Sequence, residues 1–346
     1  MNSTLDNHNA NQLDTTTFIV AEIGMNHDGS IGQAKALIKA AAACGVDAVK
    51  FQTHIAEAEM LPDAPAPHYF TDEPRYEYFI RTAFTQEQYL TLKSFSEEHG
   101  VEFISSPFSL EAIELLEKVG VSTYKVPSGE VNNFPYLIAL AKTGKKILLS
   151  SGMSTWAELD GAVDILQENG CREIIVMQCT SVYPCPPEHT GLNVMLEMQR
   201  RYNLPVGFSD HTLGIAVPIA AVTLGATVIE KHFTLSKEMY GPDAKNSATP
   251  EELRALVVAI RELERALAYK VNKDKEAESL VTMKVTFEKS LVAACDLEAG
   301  TVLEERHLAY KKPGDGIPAK RFKEVIGKRL GCRVKKDTKL DWGMLS

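Results

Sequence analysis

Two histidines occupy similar positions in two apolar segments of this chain. His211 lies in the segment FSDHT and His232 lies in the segment IEKHF. If these segments are adjacent parallel strands, their ends lie within a few ångströms of each other, and the two imidazoles can share a divalent metal ion. Two imidazoles completed by water and other oxygen ligands suit a borderline ion, so we expect Mn²⁺, with Mg²⁺ or Co²⁺ as alternatives. The competing interpretation is two unrelated histidines, each hydrogen-bonded.

Two lysines also lie near the ends of apolar segments, Lys50 in AVKFQT and Lys125 in TYKVPS. Lysines that point into a pocket normally meet an anion, and as compact charges they suit phosphate or carboxylate. Three serines near such ends, Ser106, Ser128 and Ser150, can donate hydrogen bonds to the same anion. The alternative is a lysine that forms a Schiff base with a carbonyl substrate. Two lysines beside several hydroxyls favour the anion site.

Two acidic residues add acid–base chemistry to this set. Glu22 lies near the end of the apolar segment FIVAEIGM, where a carboxylate can act as a base or orient a water molecule. Its alternative role is an ion pair with one of the two lysines. Glu130 follows Ser128 in the segment SGE and is a candidate to bind a sugar hydroxyl.

The elements that must position these residues alternate along the chain as short apolar runs and amphipathic helical patterns. Helical patterns occupy 32–43, 85–98, 154–168 and 250–268. A βα alternation repeated eight times over ~250 residues is typical of a (β/α)8 TIM-type barrel. A doubly wound open sheet is the alternative, but it needs fewer units, and the first βα turn lacks GxGxxG. The candidate strands are 18–25, 48–53, 102–107, 123–128, 146–151, 173–180, 205–211 and 227–233.

Polar residues cluster at the carboxyl end of nearly every candidate strand. The active sites of barrels lie on this face. A purely structural strand end has little use for so many polar groups, because each must find a partner when buried. The cluster therefore predicts an active site, although for any single Ser or Thr a cap or turn is a close alternative.

The chain divides by its patterns into four parts. Residues 1–17 are polar and predict a disordered tail, and 18–268 hold the barrel. Residues 269–284 have the composition of a linker, and 285–346 contain short strand-like pieces that predict a small β-rich domain. Within the barrel, the connection 54–84 is long and proline-containing, and we expect it to form a loop over the barrel mouth.

The composition excludes several classes of protein. With 37 basic and 46 acidic residues the net charge is -9, which argues against nucleic acid as the partner. The six cysteines form no CxxC pair, which predicts reduced thiols in a cytoplasmic protein. The first residues lack a signal-peptide pattern, and no apolar stretch reaches the ~18 residues of a membrane span.

Eight motifs, in order along the chain, resemble those of the sialic acid (N-acetylneuraminate) synthase family. The family includes synthases of legionaminic and pseudaminic acid. The resemblance runs from residue 18 to the C-terminus, and the last part resembles the antifreeze-like (SAF) domain of these enzymes. The motifs are EIGMNHDGS (22–30), VKFQTH (49–54), FISSPF (103–108), YKVPSGEVNNFPY (124–136), LSSGM (149–153), QCTSVYPCP (178–186), GFSDHT (207–212) and EKHFT (230–234).

The resemblance implies a transferase that condenses phosphoenolpyruvate with an open-chain N-acylated hexosamine, usually N-acetylmannosamine, and releases phosphate by C–O cleavage. Positions that match the family imply a role for each candidate. His211 and His232 would be the metal ligands, and Glu22 would position or activate water. The phosphoenolpyruvate site would comprise Lys50, Ser106, Lys125, Ser128, Ser150 and Ser181. The sugar would contact Glu130, Tyr183, Asp243 and Lys312.

The resemblance also implies a homodimer in which each C-terminal domain covers the barrel of the other subunit. Lys312, in the loop KKPGDG, stands where bacterial members often carry an arginine that reaches the N-acyl group from the partner. Ser106 and Ser181 stand where some members have Thr and Asn, and Gln178 where many have His. Because lysine lacks the planar fork of arginine, the acyl recognition and the sugar stay open.

Three functions compete on the sequence. The first is the nonulosonate synthase, acting on N-acetylmannosamine or on a precursor of legionaminic or pseudaminic acid. The second is a phosphoenolpyruvate condensation on a phosphorylated sugar, as in Kdo8P or DAHP synthases, which needs an extra basic site. The third is a non-catalytic chain that binds carbohydrate through its C-terminal domain, against which the intact set of strand-end residues argues.

Overall fold

The computed structural model describes residues 16–66, 70 and 73–346. The predicted tail falls mostly outside them, as does Pro67 of the long connection. The chain separates after Ala268 into two compact units, the second being Tyr269–Ser346. At the start of the first unit Thr17 is buried, and its carbonyl accepts a hydrogen bond from Arg261 at 2.8 Å. In the described part of the chain, no helix combines the length and apolarity needed to cross a membrane.

The first unit contains a closed barrel of eight parallel strands, which confirms the predicted fold class. Each predicted strand is present, and most are one or two residues shorter than predicted. The predicted strand 123–128 ends at Val126 because Pro127 has no N–H to continue the ladder. The strands are β1 (Phe18–Gly24), β2 (Ala48–Thr53), β3 (Glu102–Pro107), β4 (Thr123–Val126), β5 (Lys146–Ser150), β6 (Ile174–Cys179), β7 (Val206–Asp210) and β8 (Val228–His232).

Helices follow the strands and pack on the outside of the barrel. Two of them begin with a capping box, in which Thr85 pairs with Gln88 and Thr155 pairs with Glu158, so their first N–H groups have acceptors. The helices of this unit are α1 (Ile31–Ala43), α2 (Ala56–Glu59), α3 (Arg75–Thr82), α4 (Gln86–Glu98), α5 (Leu110–Val119), α6 (Phe134–Lys142), α7 (Trp156–Glu168), α8 (Leu192–Tyr202), α9 (Ala216–Thr223) and α10 (Pro250–Ala268).

Alternation along each strand sorts side chains between two environments. Outward residues such as Ile19, Phe51 and Ile229 pack against the helices in the main apolar core. The inward residues at the amino ends form a separate apolar plug, composed of Val20, Ala48, Ile104, Leu148, Met177 and Val228. At the next inward position of each of these strands, two residues further on, the side chain is charged or polar. The plug therefore closes one end of the barrel and leaves the polar layer at the carboxyl ends facing an open mouth.

The second unit is built around a short antiparallel pair of strands, β9 (Ser290–Ala293) and β10 (Leu308–Lys311). Isolated bridges such as Val292–Lys339 and Leu297–Val334 join its remaining extended segments. Its core is a compact apolar cluster that includes Leu291, Leu303 and Leu340. Residues that were expected to form a linker are helical here. The helices are α11 (Lys273–Ser279), α12 (Val281–Phe287) and α13 (Phe322–Val325).

Candidate active site

A buried network of two lysines and two glutamates forms the floor of the barrel mouth. Lys50 Nζ lies 2.9 Å from a Glu230 carboxylate oxygen and 3.5 Å from one of Glu22. Lys125 Nζ lies 4.0 Å from the other Glu230 oxygen. The four side chains come from β1, β2, β4 and β8, and all are at most 6% exposed. The ion pair of Glu22 with Lys50, one of the two roles considered for Glu22, is therefore present.

The two glutamates of this network titrate in opposite directions. Burial raises the pKa of Glu22 to about 7, and the nearby Glu230 carboxylate adds to the rise while Lys50 opposes it. For Glu230, burial is outweighed by Lys50 and Lys125, which lower its pKa to about 2. Glu230 is thus a fixed negative charge, whereas Glu22 can exchange a proton near neutral pH. Such a division of roles between two carboxyl groups is typical of sites that move protons.

Lys125 is the cation of the network whose charge is least satisfied by the protein. Its Nζ donates to the Val126 carbonyl at 3.4 Å, a long bond, and Glu230 is 4.0 Å away. Burial, aided by Lys50, lowers the pKa of Lys125, although Glu230 opposes the shift. An anion bound in the cavity would supply the missing acceptors. A lowered pKa would equally suit the Schiff-base alternative.

Hydroxyl groups from three strand ends surround the space beside Lys125. Ser128 Oγ and Ser150 Oγ are 2.7 Å apart, and the Gly152 N–H donates to Ser150 Oγ at 3.4 Å. Gly152 has no side chain to fill this space: a Cβ there would lie 2.6 Å from Ser181 Oγ and closer still to Ser128 Oγ. The absence of that Cβ leaves the serine hydroxyls available to an anion.

Replacing Gly152 by alanine should therefore block the cradle formed by Ser128, Ser150 and Ser181. We expect the KM of the anionic substrate to rise about tenfold or more, the scale of one or two lost hydrogen bonds. The control is Gly129→Ala, since Gly129 also lines the cavity but has no atom within 4 Å of an added Cβ. Steady-state kinetics would compare the variants, and equal KM values would contradict this view of the cradle.

The two histidines predicted to bind metal lie side by side, with ring centroids 5.6 Å apart. With imidazole nitrogens about 2.1 Å from a metal, two rings on one ion at angles of about 90–120° have centroids roughly 4.5–5.5 Å apart, so the observed spacing is close to the upper end of this range. His211 Nδ1 lies 2.8 Å from the Thr180 carbonyl and must donate to it, which leaves Nε2 for the Cys179 thiol or for a metal ion. His232 Nδ1 is buried and has no hydrogen-bond partner within the described structure.

These observations fit a divalent metal ion. Burial lowers the pKa of His232 to about 4, with contributions from His211 and Lys50, so its imidazole is neutral and can act as a ligand. The backbone carbonyl on Nδ1 of His211 is the kind of contact that orients a metal-binding histidine. Among the described residues, no three or more His, Cys, Asp or Glu side chains form a metal site. Water or substrate oxygens would have to complete the coordination.

The network, the cradle and the histidines open into one cavity of about 520 Å³. Ser150 lies behind its wall, hydrogen-bonded to Ser128. Lys312 belongs to the second unit, where its ammonium is exposed and lies 4.9 Å from the Phe287 ring centroid. The other predicted site residues all line the cavity: Glu22, Lys50, Ser106, Lys125, Ser128, Glu130, Ser181, Tyr183, His211, His232 and Asp243.

Three of the four predicted sugar contacts, Glu130, Tyr183 and Asp243, line this cavity. The Asp243 carboxylate accepts a hydrogen bond from Met25 N at 3.0 Å, and Gly24 makes room for it because a Cβ there would be 2.5 Å away. The Tyr183 ring lies against His211, with centroids 4.2 Å apart. Glu130 is half-buried, and burial raises its pKa.

Sequence reasoning did not assign a role to Glu230, Gln52, Cys179 or Arg75, which also line the cavity. Glu230 could have been found, since it stands two residues before His232 and a strand directs such residues to one face. Gln52 bears the same relation to Lys50, and its amide donates to Glu22 at 2.8 Å. Burial alone would raise the pKa of the Cys179 thiol, but His211 and Lys125 outweigh burial and lower that pKa to about 6. No sequence pattern indicates that shift.

Comparison with known protein families matches residues 37–272 to the NeuB family and residues 288–346 to the SAF domain. The first match covers more than half of the chain.

This chain belongs to the NeuB family.

Membership confirms the family resemblance read from the motifs. A NeuB-family relative, the N,N'-diacetyllegionaminic acid synthase of Campylobacter jejuni, is 39% identical over 93% of this chain and 98% of its own length. The N-acetylneuraminate-9-phosphate synthase of Mus musculus is 37% identical over 92% of this chain and 90% of its own length. The crystal structure of an N-acetylneuraminic acid synthetase from Leptospira borgpetersenii aligns with a TM-score of 0.70 at 29% identity, over 78% of this chain and 92% of that one. These relatives indicate that the chain is a biosynthetic enzyme. Their names specify different sugar acids, so they do not agree on one sugar.

Proposed function

We propose that this chain condenses phosphoenolpyruvate with an open-chain N-acylated hexosamine, N-acetylmannosamine or a close relative, and releases inorganic phosphate. The observation that carries the proposal is the arrangement in one cavity of an anion cradle, a pair of histidines and a carboxyl group with a pKa near 7. The anion cradle would bind phosphoenolpyruvate, and the histidine pair would hold a metal that activates the aldehyde acceptor. The carboxyl group would take the proton from the water that is added.

The anion end of the cavity suits phosphoenolpyruvate. Lys125 and Lys50 supply positive charge, and the hydroxyls of Ser128 and Ser181, which line the cavity, would supply hydrogen bonds. Because Lys50 is already paired with Glu230, Lys125 is the lysine with charge to spare. The substrate's phosphate and carboxylate would therefore lie toward β4 and β5, with carbon 3 directed at the histidines.

The reaction balances with water as the third reactant. Carbon 3 of the enol attacks the aldehyde carbon, and the aldehyde oxygen takes a proton to become a hydroxyl. Water adds at carbon 2 and loses a proton to Glu22, which is poised to accept one. The bond between carbon 2 and the bridging oxygen breaks, and phosphate leaves. A divalent ion held by His211 and His232 would supply Lewis acidity toward the aldehyde oxygen.

The sugar is the less determined partner. Legionaminic acid synthase relatives at 39% and 34% identity favour an acceptor of that class as the alternative to N-acetylmannosamine. A phosphorylated acceptor needs an extra cation, and Arg75 is the remaining Lys or Arg side chain among the described residues that line the cavity. The DAHP synthase structures that align with this chain are 16% identical and bear on the fold alone.

A phosphate-release assay tests the proposal directly. Phosphoenolpyruvate would be combined with N-acetylmannosamine, its 6-phosphate and diacetamido hexosamines, and specificity would be read as kcat/KM for each sugar. With ¹⁸O in the bridging oxygen of phosphoenolpyruvate, C–O cleavage places the label in inorganic phosphate. Absence of sugar-dependent phosphate release from every acceptor, with metal present, would exclude this function.

Lys125→Ala should raise the KM for phosphoenolpyruvate about 10- to 150-fold, the scale of about 1.5–3 kcal/mol for a charged contact, and should affect the sugar less. The reason is that Lys125 lies at the anion end of the cavity. Lys93→Ala is the control, since Lys93 pairs with Glu97 on the surface of α4. A rise confined to the sugar KM contradicts the assignment, and a borohydride-stable adduct between Lys125 and substrate would establish the Schiff-base alternative.

We propose further that the enzyme is a homodimer with exchanged C-terminal domains. The second unit exposes five apolar side chains on α12 and the residue before it, Leu280, Val281, Met283, Val285 and Phe287. Exposed apolar surface of this kind is typical of protein interfaces. A domain that covers the barrel mouth would exclude bulk water from the reactive enol.

Subunit mixing distinguishes exchange from self-coverage. At phosphoenolpyruvate concentrations well below its raised KM, the Lys125→Ala barrel should turn over little, and Lys312→Ala lacks the proposed sugar contact. An exchanged heterodimer of the two regains one intact site. Activity after subunit exchange should exceed the sum of the separate variants. No recovery, despite demonstrated exchange and a measurable defect in Lys312→Ala, would mean that each domain serves its own barrel or that Lys312 lies outside the site.

A further inference from the structure

A chain of four hydrogen-bonded side chains reaches Glu22 from outside the charged network. Gln52 Nε2 donates to Glu22 Oε1 at 2.8 Å. The other end of the Gln52 amide, Oε1, lies 3.2 Å from His54 Nε2. His54 Nδ1 lies 3.0 and 2.9 Å from the two carboxylate oxygens of Glu59. The sequence Glu59, His54, Gln52, Glu22 therefore connects α2 to β1 through the end of β2.

His54 is fixed in this chain by packing as well as by hydrogen bonds. Its ring is stacked between Phe79, at a centroid distance of 3.8 Å, and Phe108, at 4.1 Å. The side chains of His54 and Glu59 are 3% and 5% exposed. A buried carboxylate beside a buried imidazole needs a donated hydrogen bond, which places a proton on His54 Nδ1.

The direction of these bonds determines how the Gln52 amide can lie. An amide has a donor end and an acceptor end, and reversing it would turn its oxygen toward the Glu22 carboxylate. Because Nδ1 donates to Glu59, Nε2 can donate to Gln52 Oε1 only if both ring nitrogens carry a proton, as in an imidazolium paired with the Glu59 carboxylate. That donor holds Gln52 Oε1 and leaves the N–H₂ group toward Glu22. We infer that His54, held by Glu59, is a positioning residue that fixes the Gln52 amide so that Glu22 keeps its hydrogen-bond donor. The inference rests on the proposed role of Glu22 in proton transfer.

The test is a double-mutant cycle on kcat. His54→Phe keeps an aromatic ring between Phe79 and Phe108 and removes both hydrogen bonds, and Glu59→Gln removes the charge that holds the ring. Each should lower kcat on the order of tenfold, the usual scale for a supporting residue, with the phosphoenolpyruvate KM changed less than about twofold. In a Gln52→Ala background, His54→Phe should change kcat less than about twofold, because there is no amide left to orient.

Controls separate this role from packing. His99→Phe is the matched substitution, since His99 also lies against a phenylalanine ring and bonds a carbonyl but is at the end of α4, outside the cavity lining. It should leave kcat unchanged. Thermal unfolding identifies any variant with a general folding defect. If His54→Phe has one, Glu59→Gln in the wild-type and Gln52→Ala backgrounds gives the same comparison.

Three outcomes would overturn the inference. A kcat loss that is just as large in the Gln52→Ala background assigns His54 to packing. A rise in the sugar KM that persists in that background assigns His54 to direct contact with the sugar. Full activity in both His54→Phe and Glu59→Gln shows that Gln52 needs no support. None of these outcomes contradicts the proposed function, and Glu22→Gln still tests the role of Glu22. The proposed function itself fails only if the wild-type enzyme does not join the two substrates.

Discussion

Chelation should abolish turnover, and Mn²⁺ should restore it. His211→Ala and His232→Ala should each lower kcat/KM by at least about 10²-fold, the scale for removing a preorganised electrostatic contact to the reacting oxygen. The reason is structural: the two rings lie 5.6 Å apart, and His232 Nδ1 is a buried nitrogen without a hydrogen-bond partner in the described part of the chain.

The measurement combines kinetics with metal binding. Mn²⁺ titration followed by electron paramagnetic resonance should show one tight site per chain in the wild type and much weaker binding in both alanine variants. His99→Ala is the control, because that ring bonds the Phe95 carbonyl at the end of α4. Full activity in a metal-free sample would end the assignment of His211 and His232 as ligands.

Glu22→Gln should lower kcat by about 10²- to 10⁴-fold, the range for loss of a general acid–base group. Glutamine keeps the size of the side chain and removes its ability to exchange a proton. Because the pKa of Glu22 is about 7, wild-type kcat/KM should rise with pH as Glu22 ionises, with a midpoint near 7. A pH–rate profile of the variant should lack this limb. An unchanged limb would assign the titration to another group.

Stability should depend on the same ionisation with the opposite sign. Folding raises the pKa of Glu22 from 4.5 to about 7, so the folded chain binds this proton more tightly than the unfolded chain. The resulting stabilisation is fully present below pH 4.5 and is lost as the pH rises through 7. Relative to wild type, Glu22→Gln should therefore gain stability between these pH values, which thermal unfolding at several pH values would measure.

The sequence located cavity residues at the ends of strands, such as Lys50 and His232, because strand periodicity is local. A residue two positions from a known inward residue also points inward, and this rule applies to Lys50 and Gln52 on β2 and to Glu230 and His232 on β8. Apolar residues on the other face bind the strand to its helix. The eightfold βα repeat then places every carboxyl end on one side of the barrel.

The sequence could not predict which of those residues form ion pairs or hydrogen bonds with one another. Lys50 pairs with Glu230 across the intervening strand β1, and 180 positions separate them in the chain. The pKa of Glu22 depends on how deeply it is buried and on which charges face it, and neither is a property of its neighbours in sequence. The close approach of Ser128 and Ser181 to Gly152 likewise depends on three different strand ends.

The sequence by itself determined the order of the elements, the (β/α)8 class, and the face on which Glu22, Lys50, Lys125, His211 and His232 lie, because each follows from periodicity within one segment. Only the tertiary structure decided which charges neutralise one another and which polar atoms stay unpartnered. Closing the barrel removes these groups from water, and in that low-dielectric space distances of a few ångströms between strands far apart in sequence set charge and hydrogen bonding.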